Sequence, residues 1–145
     1  MKGGEARLWQ RMRPGVEPFA FAQRIENMVG EGVPDLVLHS RLSGDCAFVE
    51  LKYRPELPAR ADTPIFKGAY GLRPEQVAWL YERSMAGANC WILGQCGKEL
   101  WLVHGRYSRE LGTLSRKMLE DRCEWCVPAY ATDWEKVCRA IFGYT

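Results

Sequence analysis

The chain has 145 residues, 47% of them hydrophobic and 26% charged, with a formal net charge of +2. That is one domain with enough apolar material for a real core, which excludes wholesale disorder. The near-balance of charge neither demands nor excludes a nucleic-acid partner, because a local basic surface matters more than the total.

No stretch approaches the ~20 apolar residues that span a bilayer. The opening Met1-Lys2-Gly3-Gly4-Glu5 turns charged at once, without an apolar signal region, so a cytoplasmic protein is expected. Residues 4–13 predict a helix stopped by Pro14-Gly15, with Leu8, Trp9 and Met12 as its apolar stripe. Glu5 lies on the same stripe, either solvated at the fraying end or aimed into a site. Phe19 to Glu26 has strand character, with Phe19, Phe21, Gln23 and Ile25 on one face and Arg24 and Glu26 on the other. An edge-strand charge pair would explain Arg24 and Glu26 as well as a role in a site. Asn27 to Gly32 is a loop with glycine freedom just before Pro34-Asp35.

Two strand-length apolar runs follow, Asp35 to Leu38 and Phe48 to Lys52. They flank Ser40-Arg41-Leu42-Ser43-Gly44-Asp45, which reads as a hairpin connection. Alternation sends Glu50 and Lys52 to one face of the second strand, and Val49 and Leu51 to the other. Tyr53 to Leu72 is a long connection with three prolines and two glycines. Arg54, Arg60, Lys67 and Arg73, interleaved with Tyr53, Phe66 and Tyr70, suit backbone phosphates and exposed bases. A solvated surface loop would carry the same residues.

Pro74 opens a second helix, about 74–86, with Val77, Leu80, Tyr81 and Met85 facing the core and Gln76 one turn before Leu80. Asn89 to Gln95 and Glu99 to His104 are two further strands, joined at Cys96-Gly97-Lys98. Ser108 to Arg122 and Thr132 to Ile141 predict short helices, a C-terminal cover or oligomer contact. No repeat or low-complexity segment is present.

The six cysteines are expected to be reduced. Cys46 and Cys90 read as small core residues. Cys123-Glu124-Trp125-Cys126 has the spacing of half a zinc site, for which Cys138 is the only later cysteine. His39 and His104 sit at strand ends without a motif around them. Trp91 and Trp101 alternate with apolar residues and read as core.

If the two strands bring Asp35 and Glu50 together, two carboxylates converge with the backbone carbonyl of Leu51. Such a hard oxygen set suits Mg²⁺ or Mn²⁺. Lys52 would orient or help deprotonate an attacking water, or stabilise charge building on a phosphate. The chemistry served is phosphodiester hydrolysis without a covalent intermediate. The same triplet would also form a surface salt bridge worth ~0–1 kcal/mol.

Pro34-Asp35 followed by Glu50-Leu51-Lys52 resembles the PD-(D/E)XK nuclease motif. With Glu5 on an N-terminal helix and Arg73-Pro74-Glu75-Gln76 downstream, the order is similar to that of the VRR-NUC and phage-type Holliday-junction-resolvase branch. The resemblance covers about residues 5–104 and implies an α/β (α+β) fold, a mixed central sheet flanked by helices in a single restriction-endonuclease-like domain over 1–145. It implies Asp35 and Glu50 as metal ligands, Lys52 as catalytic, Gln76 near the site, and Glu5 as the helical acid of the resolvases. Arg24 takes the place of a basic residue before the acidic motif, and Glu26 competes with Glu5 as third carboxylate.

The expected function is therefore a Mg²⁺- (or Mn²⁺-) dependent DNA endonuclease, structure-selective for branched or flapped DNA. A homodimer matches the two-fold symmetry of a Holliday junction. No small organic cofactor or membrane partner is expected, and the cytoplasm would be that of a bacterial host if the chain is phage-encoded. The long 53–72 loop departs from the branch, and residues 105–145 match nothing in it. The alternatives are a non-catalytic DNA-binding or assembly protein on a nuclease fold, and a zinc-stabilised interaction module through Cys123, Cys126 and Cys138.

Overall fold

The computed structural model describes residues 3–25 and 30–143. Its elements are α1 (Gly3–Val16), β1 (Ala20–Arg24), β2 (Leu36–Ser40), β3 (Cys46–Arg54), α2 (Pro74–Met85), β4 (Cys90–Cys96), β5 (Glu99–His104), α3 (Arg116–Arg122), β6 (Trp125–Pro128) and α4 (Trp134–Phe142). The six strands form one mixed sheet in chain order, β1-β2-β3-β4-β5-β6. Every neighbouring pair is antiparallel except β3–β4, which is parallel. Parallel neighbours need a crossover, and residues 55–73 with α2 supply it.

Strand alternation divides the core in two. Leu51 and Val49 of β3, Trp91 and Leu93 of β4, and Leu100 and Leu102 of β5 pack with Leu8, Met12 and Val16 of α1 and Val137 and Ile141 of α4. The other face holds Ile92, Trp101 and Val103 with Leu80 of α2, Ile65 and Phe66 of the crossover, and Leu119 of α3. Fully burying each such side chain contributes about 1.5–3 kcal/mol. Glu50 and Lys52 belong to the second face, the α2 side.

The helix expected to stop at Pro14 continues to Val16. The amide bond that Pro14 forfeits would have gone to Gln10, and both residues are exposed, while Val16 is fully buried. Gly15 is required for a different reason. A Cβ there would lie 2.1 Å from the Trp134 ring of α4.

The 53–72 connection is not a loose surface loop. Ile65 and Phe66 are buried, and Phe66 meets Trp101 edge-on with centroids 6.2 Å apart. Gly94 leaves the room for that ring, since a Cβ there would come within 2.5 Å of it. Phe66 is therefore core and not a base-stacking side chain.

On β1 the buried residue is Ala20, and Phe21 is exposed, stacked by Arg41 at 3.7 Å. Met85, the last residue of α2, is exposed rather than core. Cys46, at the start of β3, is also exposed rather than core. The stretch expected as one helix over 108–122 is a short 3₁₀ turn at Leu111–Thr113 followed by α3, capped by the Ser115 hydroxyl accepting from the Met118 amide. Between the two C-terminal helices lies β6, an edge strand that the sequence pattern did not suggest; it adds a sixth strand through Leu100↔Val127 and its neighbours. Among the described residues no helix is long and apolar enough to cross a membrane.

Candidate active site

The β2–β3 hairpin sets the site. The Ser40 hydroxyl accepts from the amides of Leu42 and Ser43, each at 3.1 Å, and closes the turn. This fixes the register Leu38↔Ala47 and Leu36↔Val49. One step further, where β2 begins, the same register sets Asp35 opposite Glu50 on the α2 side of the sheet. There the Asp35 side chain takes over from the backbone ladder, its Oδ2 accepting from the Leu51 amide at 2.8 Å. In a strand the carbonyl of a residue points to the same side as its amide, so the Leu51 carbonyl also faces Asp35.

The third element is the start of α2. Gln76 Oε1 accepts from the Arg73 backbone amide at 2.9 Å, capping the helix, and from Lys52 Nζ at 3.2 Å. Gln76 Nε2 donates to Glu50 Oε1 at 3.2 Å. Lys52 Nζ stands 3.9 Å from the same oxygen. One glutamine thus orients the amine and the carboxylate relative to each other. Gly32, at φ +80°, lets the 30–34 segment close on this helix end, since a Cβ there would lie 2.4 Å from the Glu75 carbonyl oxygen.

Asp35, Glu50, Lys52 and Gln76 are each less than a tenth exposed, at 6%, 2%, 7% and 7%. They line a cleft of about 560 Å³ together with Glu5 and Arg73. Glu50 Oε2 is buried with no hydrogen-bond partner among the described residues. Burial pushes the Glu50 carboxyl up to about 7, against the opposing pull of the facing Asp35 carboxyl and the charge of Lys52; Glu5 adds to the rise. A buried carboxylate with one unmatched oxygen, beside two further acids, is a site that a cation would relieve.

Six of the expected site residues therefore share one cleft: Glu5, Asp35, Glu50, Lys52, Arg73 and Gln76. Glu26 lies outside the described residues. Arg24 is exposed at the end of β1, opposite Leu36. Arg54 turns toward the crossover, donating to the carbonyls of Glu56, Pro64 and Ile65. Arg60 lines a separate surface hollow with Arg116 and Lys117, and Lys67 is exposed outside the cleft. Two acids not singled out from the sequence, Glu31 and Glu75, also line the cleft. Glu31 sits in no recognisable pattern and Glu75 reads as an ordinary first-turn acid of α2; the packing of Gly32 on α2 brings both in.

His39 is exposed beside Phe21, and burial pushes the pKa of His104 below the ordinary imidazole value; its Nδ1 accepts from the Arg106 amide. Neither lines the cleft. The three cysteines of the proposed zinc module are split by the sheet: Cys138 is buried with the α1–α4 core, and Cys123 packs on the opposite face. Among the described residues no group of three or more His, Cys, Asp or Glu side chains gathers to hold a metal ion. The sequence matches no protein-family profile and no curated protein.

Proposed function

We propose that this chain is a divalent-metal-dependent DNA endonuclease of the PD-(D/E)XK type, hydrolysing phosphodiester bonds in branched or flapped DNA and working as a homodimer. The observation that carries the reading is Glu50, buried opposite Asp35 with Oε2 unpartnered and Lys52 3.9 Å from its other oxygen. The element order α1-β1-β2-β3-α2-β4, with the acid at the head of β2 and Glu-Leu-Lys on β3, supports the same family.

The donor set fits Mg²⁺ or Mn²⁺. Mg²⁺ takes one or two carboxylates and completes its shell with water and substrate phosphate, so it needs no closed protein cage. Asp35 and Glu50 would hold it with the Leu51 carbonyl. Such an ion supplies electrophilic polarisation of the phosphodiester. The protein's own contribution is positional. Gln76 holds Lys52 and Glu50 in fixed relation, and the Lys52 ammonium faces the place where charge builds on the phosphate. The N-terminal end of α2, with Arg73 at its cap, adds positive potential on the same side of the cleft. Water attacks phosphorus and the bond to the leaving oxygen breaks.

The test is cleavage of a labelled four-way junction, a flap, and matched linear duplex and single strand, in Mg²⁺ and in EDTA. Metal-dependent cutting of the junction or flap, abolished by Asp35→Ala, is expected. No cutting of any substrate, with Asp35→Ala indistinguishable from wild type, would overturn the reading and leave a binding protein.

A further inference from the structure

We propose that a single strand of DNA leaves the cleft along a strip of three stacked arginine–tyrosine pairs. The strip starts on the crossover side of the β3 end and passes round that end to the α1 side of β3 and β4. Its first pair is Arg54 and Tyr70, with the guanidinium 4.8 Å from the ring centre. Its second is Arg7 and Tyr53, at 5.5 Å, and its third is Arg11 and Tyr130, at 4.8 Å.

The pairs are contiguous by construction. Arg7 and Arg11 are one turn apart on α1 and share a face. Tyr53 and Gln95 are partners across β3 and β4, and Gln95 accepts from Arg11 and donates to the Tyr130 hydroxyl at 3.4 Å. Tyr53 lies against the helix because Gly4 has no side chain; a Cβ there would come within 1.9 Å of the ring. Arg7, Tyr53 and Tyr70 line a hollow of about 430 Å³ that shares Glu5 and Ala69 with the cleft. The strip is thus continuous with the candidate active site.

Its chemistry selects the occupant. The partners of Arg54 are backbone carbonyls and the acceptor for Arg11 is an amide oxygen, with Arg11 Nε left unpartnered, so among the described residues no carboxylate neutralises either charge. Tyr130 is 65% exposed and Tyr70 37%, leaving ring surface for an incoming base. Cationic groups alternating with accessible aromatic rings suit a chain that offers phosphates and unstacked bases together. A duplex, whose bases are stacked inward, can use only the charges. The inference rests on the nuclease reading for its purpose: the strip would carry the unpaired arm of a flap away from the scissile phosphate.

The experiment measures fluorescence anisotropy of a labelled oligo(dT) of about 12 nucleotides, within the span such surfaces take, and of a duplex of equal length. EDTA keeps cutting out of the readout. Single strand is expected to bind more tightly than duplex, with Tyr70→Ala and Tyr130→Ala each weakening it by about fivefold or more. Tyr70→Phe should bind like wild type, as should the distant Arg139→Ala. Arg7→Ala should reduce the slope of log affinity against log salt by about 0.7, one released phosphate contact. Thermal melting of each variant separates lost contact from lost fold. Duplex binding as tight as single strand, or variants that fold and bind unchanged, would overturn the strip. A wild type that binds oligo(dT) as described and cuts nothing in Mg²⁺ would remove the nuclease reading and leave the strip standing.

Discussion

Two regions of this molecule handle charge in opposite ways. Around β5, α3 and α4, Arg116 meets Glu99 and Glu120, Arg122 meets Glu110 at 3.5 Å, and Arg139 meets Glu135 at 3.3 Å. All of these groups keep a quarter to half of their side-chain surface in solvent. Pairs of that kind contribute ~0–1 kcal/mol each and mainly keep the surface polar. In the cleft, Lys52 and Glu50 are withdrawn from water, stand 3.9 Å apart, and leave one carboxylate oxygen unmatched. Burying charge with incomplete pairing destabilises a fold by several kcal/mol. The first arrangement serves stability, whereas the second works against it, and that difference is why the cleft is proposed as the functional site.

The comparison is broken most severely by removing the acids. Asp35→Ala and Glu50→Ala should each lower metal-dependent cleavage by about 100- to 1,000-fold or more, the scale of a lost transition-state stabiliser. Circular dichroism and melting should show a folded protein; variants that unfold would instead make these residues structural. Gln76→Ala should lower cleavage by about 10- to 100-fold, as loss of an orienting partner does. The fall should sit in kcat more than in KM, because Gln76 positions Lys52 and Glu50 and need not bind substrate.

Stability should move in the opposite sense to activity. The Glu50 carboxyl is raised from 4.5 to about 7, so the folded state holds its proton more tightly than the unfolded chain. Its contribution to stability is fully present below pH 4.5 and is lost as pH rises through 7. Glu50→Gln should therefore stabilise the metal-free protein at pH 8, on the order of 1–3 kcal/mol, measured by urea unfolding. Added Mg²⁺ should raise the Tm of wild type at that pH and leave Glu50→Gln unmoved. The smallest effect belongs to the other region. Arg139→Ala should change stability by less than about 1 kcal/mol and leave cleavage unaltered.

The hairpin and its acids were legible because local rules decide them. Ser40 to Asp45 has turn chemistry, and alternation in Phe48 to Lys52 can present Glu50 and Lys52 only together. The α2 boundaries followed from Pro74 and Gly87. What long-range packing decides was not legible. Phe66 reads as a loop aromatic until Gly94, far along the chain, is seen to make room for it. β6 is four residues ending in proline, too short to show a period and paired on one side only. Met85 has the right helical spacing for the core, but it is the last residue of α2 and is exposed there. Arg54 was expected to meet phosphate directly; the carbonyls that engage it belong to a connection whose path no local pattern encodes.

The central claim, that buried acids in the cleft are held for a divalent cation, is tested most directly by calorimetric titration of Mn²⁺ into wild type, Asp35→Ala and Glu50→Gln at pH 7. The account predicts binding to wild type with release of protons, since Glu50 is partly protonated near pH 7 and must ionise to bind. It predicts loss of both binding and proton release in the two variants. Folded wild type that takes up no Mn²⁺, or variants that bind it as tightly, would contradict it.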